Sequence, residues 1–277
     1  MTRHALAVDI GGTKLEAALV AEDGTVVAGS RTRRPTGRAA DTASLDAAVG
    51  EAVSHALAAL PEGAELIGAG VGSAGPIDRA RGSINPVNMP RAHGYRLADA
   101  VSRSASAVLG REIVAVLGHD GGALALAEAW LGAARGSRAA LSIVVSTGVG
   151  GGFTFDGAYA PGATGNAGHL GQVRREGGLT LEEIASGPAS AAWAQIQGWT
   201  GATGEDLARD AAAGDAIARA AIERSARAVG EALADAATLV DLDIVAIGGG
   251  FSRVSDDYID LVQQALKGEQ LALVKRE

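Results

Sequence analysis

The sequence contains no cysteine, which excludes disulfide bonds and thiolate metal sites. Aromatic residues make up only 3% of the chain although 47% is apolar, so the core has to be built from Ala, Val, Leu and Ile. No run of about 18 apolar residues is present, and we therefore expect no membrane-spanning helix. Asp9 and Lys14 interrupt any apolar stretch of a signal peptide at the N-terminus.

Basic residues are also too few to balance the acidic ones, and the formal net charge is −8. A charge of this sign argues against a general nucleic-acid surface. It does not exclude an anionic substrate, because local lysines or Mg²⁺ can offset it. The length of 277 residues is enough for two modest cores. Together these features predict a cytoplasmic enzyme with no nucleic-acid partner and no membrane partner.

Glycine, in contrast, is abundant, and it clusters where apolar runs end. The motif D-I-G-G-T-K at Asp9–Lys14 joins two apolar runs that read as a hairpin. Two glycines without Cβ atoms let a large anion approach the turn, and successive N–H groups can point at phosphate oxygens. Taken alone, the motif fits a plain hairpin with an Asp at its mouth equally well.

Two further glycine-rich turns favour phosphate binding over a plain hairpin. S-T-G-V-G-G-G at Ser146–Gly152 again follows an apolar strand, and Gly248–Gly250 ends a third one. The first two segments make the chain look like two related halves. Three glycine turns at the ends of expected strands favour a nucleotide clamp over three unrelated turns.

The spacing of apolar residues predicts strands that alternate with helices, which is typical of an α/β architecture. Strands are expected at 5–10, 14–21, 25–33, 65–71, 113–117 and 242–247, and helices at 41–60, 97–109, 121–133 and 256–266. A long loop is expected from 73 to 95, and mostly helix from 180 to 238 with a break near 198–204. The domain boundary is placed just before His119, which gives domains of residues 1–118 and 119–277 with a cleft between them.

Several other motifs do not match the context that their chemistry requires. Gly70–Gly75 fits G-x-G-x-x-G, but Pro76 and a polar loop follow where a dinucleotide site needs a helix. The P-loop pattern is absent. The five histidines show no recognisable metal-ligand spacing.

The ordered glycine motifs resemble those of the ROK family of sugar kinases, in the actin/hexokinase/Hsp70 superfamily. Further matches to family motifs are Gly72–Asp78, Asn88–Pro90, Gly162–Gly168 and Glu182–Gly187. The resemblance covers most of residues 4–266. It implies a two-domain, actin-like ATPase fold of the ribonuclease H type with a central cleft. A glucokinase-like enzyme that forms homodimers is implied as well.

The resemblance also implies roles for single residues. Asp120 stands at the position of the catalytic base, although an N-cap of the following helix is the alternative from position alone. Asp9 is expected to hold Mg²⁺ through water. ATP phosphates are expected to bind the turns, and the adenine is expected to lie on the third turn. The residues of these nucleotide sites are Gly11, Gly12, Thr13, Lys14, Thr147, Gly148, Gly248, Gly249 and Gly250. Lys14 either adds positive charge there or points outward.

The sugar site departs from the family pattern. His119 replaces the usual Asn, His169 the usual Glu of the E-x-G-H motif, and Gln172 its zinc-binding or sugar-binding His. The cysteine-rich zinc motif is missing as well, so no zinc is expected. The expected sugar contacts are Gly75, Asn85, Asn88, His119, His169, Gln172 and Glu182.

These observations favour ATP-dependent phosphorylation of a monosaccharide hydroxyl, on a hexose or an amino sugar, with Asp120 as the base. The first alternative is a ROK-like protein with weak or no kinase activity that binds sugar or nucleotide. The second is an unrelated ATPase of the actin-like superfamily. A ROK-type repressor is disfavoured, because the first strand begins within about five residues of Met1 and leaves no room for a helix-turn-helix.

Overall fold

The computed structural model describes residues 2–86 and 89–268, and the chain divides into two compact units. Unit one comprises Met1–Ala123 with Pro161–Asn166, and unit two comprises Leu124–Ala160 with Ala167–Glu277. The boundary expected before His119 lies a few residues ahead of this division, so His119 and Asp120 belong to unit one.

Unit one is built from a mixed sheet and the helices that cover it. Its elements are β1 (Arg3–Ile10), β2 (Lys14–Ala21), β3 (Thr32–Pro35), α1 (Thr42–Ala58), β4 (Glu65–Ser73), β5 (Ile77–Asp78), β6 (Ser83–Ile84), α2 (Leu97–Leu109), β7 (Ala115–His119) and the start of α3 (Asp120–Leu131). Within the described residues the larger sheet has the order β3-β2-β1-β4-β7.

Buried and exposed residues alternate along β1 and show which face of this sheet is buried. Leu6, Val8 and Ile10 are at most 3% exposed, whereas Ala7 and Asp9 between them keep solvent access. The buried residues belong to one core with α1, whose Leu45 and Val49 lie on its apolar face. Asp9 therefore points away from this core.

Parallel pairing brings three strand ends to one edge of the sheet. β1 pairs in parallel with β4, and β4 with β7, so Asp9 is in register with Gly72 and Gly72 with Gly118. Parallel strands carry their carboxyl ends at the same edge. The residues that end β1 and follow β7 are thereby neighbours across β4.

Unit two contains a second sheet with helices packed on it. Its elements are β8 (Ala139–Val145), β9 (Val149–Phe155), β10 (Ala158–Tyr159), α4 (Leu181–Ala185), α5 (Gly187–Ile196), α6 (Gly204–Ala212), α7 (Ala216–Val240), β11 (Ile244–Gly248) and α8 (Tyr258–Gly268). The strand order is β10-β9-β8-β11, and the core contains residues of α4 to α8. In the part of the chain that the structure describes, no helix is long and apolar enough to cross a membrane.

Three expectations about elements need correction. The third strand is not at 25–33, because Gly29 adopts a positive φ and the Ser30 hydroxyl bonds to the Val27 carbonyl, which turns the chain before β3. The loop at 73–95 contains the short hairpin β5–β6 and a 3-10 turn. β7 lies two residues later than expected, so α3 follows it with no connecting loop.

Candidate functional site

The first part of the site is the edge where Asp9 and the start of α3 meet. Gly72 lies between them, and a Cβ atom there would sit 3.3 Å from Asp9 Oδ1 and 4.0 Å from the Ala123 side chain. A side chain at this position would therefore crowd the Asp9 carboxylate. The glycine leaves the Asp9 carboxylate free to occupy the space above β4.

The electrostatic environment of Asp9 favours a bound cation. Burial raises the pKa of the Asp9 carboxyl, and the charges of Asp120 and Glu16 raise it further, while Lys14 partly offsets them. Asp9 still has accessible surface, so the shift reflects partial loss of hydration beside acidic neighbours rather than full burial. A cation would relieve this repulsion, because an opposite charge stabilises the ionised carboxylate.

Two backbone N–H groups at the start of α3 bind the side chains of His119 and Asp120. The Gly122 N–H donates to His119 Nδ1 at 3.2 Å, and the Gly121 N–H donates to Asp120 Oδ1 at 2.7 Å. The His119 side chain is only 2% exposed, whereas that of Asp120 is 61% exposed. His119 is thus the residue that caps α3, a role that the family's Asn at this position could also fill. The Asp120 carboxylate stays accessible.

The first glycine turn is held at its base and open at its tip. The Gly11 N–H donates to the Lys14 carbonyl at 2.9 Å, and Thr36 anchors the turn through its hydroxyl to the Gly11 carbonyl at 2.8 Å. Within residues 2–86 and 89–268, the Gly12 and Thr13 N–H groups have no protein acceptor. Two such donors side by side suit an anionic oxygen.

The Lys14 side chain forms an ion pair with Glu16 on the neighbouring part of β2. Its ammonium lies 3.2 Å from Glu16 Oε2, and Arg31 and Arg33 bind the same carboxylate. Burial opposes ionisation of Glu16, but these three cations prevail and lower its pKa to about 2. Lys14 therefore has a protein partner in this structure, and its expected contact with phosphate stays a prediction.

The second and third glycine turns lie together at one edge of the unit-two sheet. The Ser146 N–H donates to the Gly148 carbonyl at 2.9 Å, and the N–H groups of Thr147 and Gly148 have no acceptor among the described residues. Gly249 has φ 105°, and a Cβ atom on it would lie 2.3 Å from the Val145 carbonyl. No other residue type fits there, so Gly248–Gly250 packs directly on the end of β8.

The segments that carry three of the expected sugar contacts, His169, Gln172 and Glu182, pack against the start of β9. A Cβ atom on Gly171 would lie 2.0 Å from the Val149 carbonyl, so the segment His169–Gln172 packs against that residue. Glu182 Oε2 accepts the Val149 N–H at 2.8 Å. The segment His169–Gln172 and the Glu182 carboxylate therefore both contact Val149, although the sequence separates them.

The remaining expected sugar contacts belong to unit one. Gly75 precedes β5, and the Asn85 side chain accepts the Gly94 N–H at 3.0 Å, which stabilises its own loop. Asn88 lies outside the described residues. A cavity of about 680 Å³ lies beside β5, lined by Ile77–Ala80 and Gly162–Gly165.

Sequence reasoning missed Asn166, which shapes this part of unit one. Its side chain accepts the Ile77 N–H at 3.1 Å and donates to the Ile77 carbonyl at 3.0 Å. The amide therefore imitates a strand neighbour of β5 and attaches Pro161–Asn166 to unit one. Its place within Gly162–Gly168, a segment already compared with a family motif, was the available signal.

Comparison with known proteins identifies the family. The family model for ROK matches residues 5–272, and the chain belongs to the ROK family. An N-acetylmannosamine kinase of Yersinia pseudotuberculosis serotype O:1b (strain IP 31758) is 32% identical over 276 residues, which is 95% of this chain and 88% of the relative.

Solved structures agree with this assignment. A ROK hexokinase from Thermus thermophilus is 29% identical with a TM-score of 0.81, over 96% of this chain and 88% of that one. A ROK family glucokinase from Streptomyces griseus, solved with glucose and AMPPNP, is 26% identical with a TM-score of 0.75, over 99% of this chain and 92% of that one. The expected α/β, actin-like fold is confirmed, and an unrelated ATPase is excluded.

Proposed function

We propose that the protein transfers the γ-phosphoryl group of ATP to a hydroxyl group of a monosaccharide. The observation that carries the proposal is the Asp120 carboxylate. It is exposed, it is held by the Gly121 N–H, and it lies at the strand edge that also presents Asp9. The relatives named above are sugar kinases, which supports sugar phosphorylation in general terms.

In this reaction Asp120 accepts the proton of the attacking hydroxyl. The hydroxyl oxygen bonds to the γ-phosphorus, the bond from that phosphorus to the bridging oxygen breaks, and ADP leaves. The transition state of phosphoryl transfer is loose, so orientation of the hydroxyl matters more than the strength of the base. The hydrogen bond from Gly121 holds the carboxylate in one orientation for this step.

The glycine turns and Asp9 supply the binding of MgATP. The open N–H groups of Gly12, Thr13, Thr147 and Gly148 are suited to phosphate oxygens, and Gly248–Gly250 offers a flat backbone for the adenine. Asp9 would hold a Mg²⁺ ion with retained water ligands, because the nearby charges of Asp120 and Glu16 make positive charge favourable at this position. The ion would offset the charge of the phosphates.

We further propose that the protein holds no structural zinc. The chain has no cysteine, and Gln172 stands where the family carries a histidine. Structural zinc sites use four Cys or His ligands in most proteins. Elemental analysis of untagged protein should give well under one zinc per chain, and a stoichiometric zinc bound by protein ligands would contradict this.

The sugar is a hexose or an N-acetylated amino sugar, since the relatives named above include kinases for both kinds. A coupled ADP-release assay across a panel of both kinds tests the proposal. We expect ADP release that depends on one class of sugar. A homodimeric, cytoplasmic enzyme is part of the same proposal, which is supported by the family resemblance and by the features of the sequence.

The alternative is a ROK protein that binds sugar or nucleotide with little turnover. His119, His169 and Gln172 favour it, because each departs from the family pattern at an expected sugar contact. Binding of a sugar from the panel without release of ADP would support this alternative over the kinase.

A further inference from the structure

One short segment of unit two holds both ends of the second glycine turn. The Val149 N–H, just after the turn, donates to Glu182 Oε2 at 2.8 Å. The Ser146 carbonyl, at its start, accepts the Gly187 N–H at 2.8 Å. We call Glu182–Gly187 the turn clamp, since its two ends bind the two ends of Ser146–Val149.

The spacing within the turn clamp follows from its local structure. The Ser186 N–H bonds to the Glu182 carbonyl at 3.2 Å, which closes one helical turn. The Ser186 hydroxyl accepts the Ala189 N–H at 3.3 Å and so caps α5. Ser186 thus ends α4 and begins α5, and this junction directs the Gly187 N–H at Ser146.

Two glycines lie where the turn clamp and the glycine turn pack closely against each other. A Cβ atom on Gly148 would lie 2.6 Å from Glu182 Oε2. A Cβ atom on Gly187 would lie 3.1 Å from the Phe251 ring and 3.4 Å from the Ser146 carbonyl. A side chain at Gly148 would therefore displace the Glu182 carboxylate, and one at Gly187 would crowd the Phe251 ring.

The backbone around Glu182 is fixed by hydrogen bonds, which restricts where its carboxylate can lie. Thr180 and Glu183 form a capping box at the start of α4. The Leu181 N–H donates to the Val173 carbonyl at 2.9 Å. These contacts fix the N-terminal end of α4, and the Glu182 side chain is directed at Val149 at the start of β9.

We propose that Glu182 is a positioning residue for the nucleotide, which holds the Thr147 and Gly148 N–H groups in the orientation that receives phosphate. This role is additional to the sugar contact expected from the family pattern. It rests on the proposed function, because that function assigns the turn to ATP. Removal of the carboxylate should therefore weaken nucleotide binding even when no sugar is present.

The test is calorimetric titration of the whole protein with AMPPNP and Mg²⁺, without sugar. Glu182→Ala should bind about tenfold more weakly, which corresponds to about 1.4 kcal/mol. Glu182→Gln keeps a carbonyl acceptor for Val149 and should stay within about threefold of wild type. The matched control is Glu205→Ala, which removes an exposed carboxylate from the first turn of α6 and should change nothing.

A residue that only contacts sugar would behave differently. Unchanged AMPPNP affinity in Glu182→Ala, together with a raised KM for sugar, would overturn the inference and leave the kinase proposal intact. Equal loss in Glu182→Ala and Glu182→Gln would also overturn it, because the hydrogen bond would then not be the cause. A wild-type protein that binds no AMPPNP would instead contradict the proposed function.

A second measurement tests the turn clamp independently of nucleotide. In wild type, Gly148→Ala forces the Glu182 carboxylate off the Val149 N–H and should lower the midpoint of urea unfolding. In the Glu182→Ala background the same substitution meets no carboxylate, so the shift should be smaller. Equal shifts in both backgrounds would show that the two residues are not coupled and would overturn the inference.

Discussion

Single residues explain why the start of α3 tolerates a histidine. A capping side chain needs an acceptor that reaches the third N–H of the helix, and the His119 Nδ1 atom supplies it. The neighbouring carboxylate of Asp120 is thereby released from the capping role. The His119 side chain is buried, so it contributes to the position of Asp120 whether or not it contacts sugar.

We expect sugar selectivity to depend on the side chains of His169 and Gln172. A carboxylate accepts two hydroxyl protons, whereas a neutral imidazole offers one donor and one acceptor. A polar site rejects ligands that leave its groups unpaired. Restoring the family pattern with His169→Glu and Gln172→His should shift the ratio of kcat/KM values towards glucose-like hexoses by about tenfold or more.

The control for this double variant is its thermal unfolding, since loss of folding would imitate loss of activity. The two single variants show whether the positions act together. A folded double variant with the selectivity of wild type across the sugar panel would show that His169 and Gln172 do not determine which sugar is accepted.

At the scale of elements, the contact between α7 and α8 depends on Gly230. A Cβ atom there would lie 2.5 Å from the Ala265 Cβ and 2.6 Å from the Val262 carbonyl. Gly230→Ala should destabilise the protein by about 1–2 kcal/mol, because overpacking outweighs the gain in helix propensity.

The matched control is Gly50 in α1, where a Cβ atom would meet nothing within 4 Å. Gly50→Ala should stabilise the protein by about 0.5–1 kcal/mol through helix propensity alone. Urea unfolding of both variants distinguishes the two effects. If both substitutions stabilise equally, α7 and α8 do not approach each other as closely as described.

The start of α8 is connected to α7 by a bidentate ion pair. Arg219 donates to both oxygens of Asp257 at 3.0 and 2.7 Å, and this lowers the pKa of Asp257 from 3.8 to about 2. A lowered pKa means that the stabilisation is present above pH 4 and is lost as the pH falls towards 2. Because solvent screens the ion pair, we expect it to contribute about 0.5–1 kcal/mol to the free energy of unfolding.

Comparison of wild type with Asp257→Asn by urea unfolding at several pH values measures this contribution. The difference in unfolding free energy should be largest above pH 4 and should shrink as the pH falls towards 2. A difference that is independent of pH across this range would show that the ion pair is not its source.

The elements also show what sequence patterns can and cannot predict. The 3.6-residue spacing of Leu45, Val49 and Val53 was enough to predict α1, and the glycine turns were enough to predict the strand ends. The pattern did not reveal the turn at Gly29–Ser30, because it depends on a hydroxyl contact with another strand. The Glu182 contact with Val149 was missed for the same reason, since it joins residues far apart in the chain.

At the scale of the whole molecule, family membership and local geometry support the same activity through different observations. The ROK model spans almost the whole chain. Independently, unit one presents Asp9 and Asp120 at one strand edge, and unit two presents the second and third glycine turns together. Unit one contains the proposed base and the proposed cation ligand, and unit two contains the proposed adenine site.

The central claim is that Asp120 is the base of an ATP-dependent sugar kinase, and its most direct test is a comparison of wild type with Asp120→Asn. Sugar phosphate and ADP are measured together, with the sugar that the panel selects. The account predicts equal amounts of both products from wild type and a rate about 10²–10⁴ lower in the variant, with AMPPNP affinity unchanged. A variant as fast as wild type, or a wild type that phosphorylates no sugar in the panel, would contradict it.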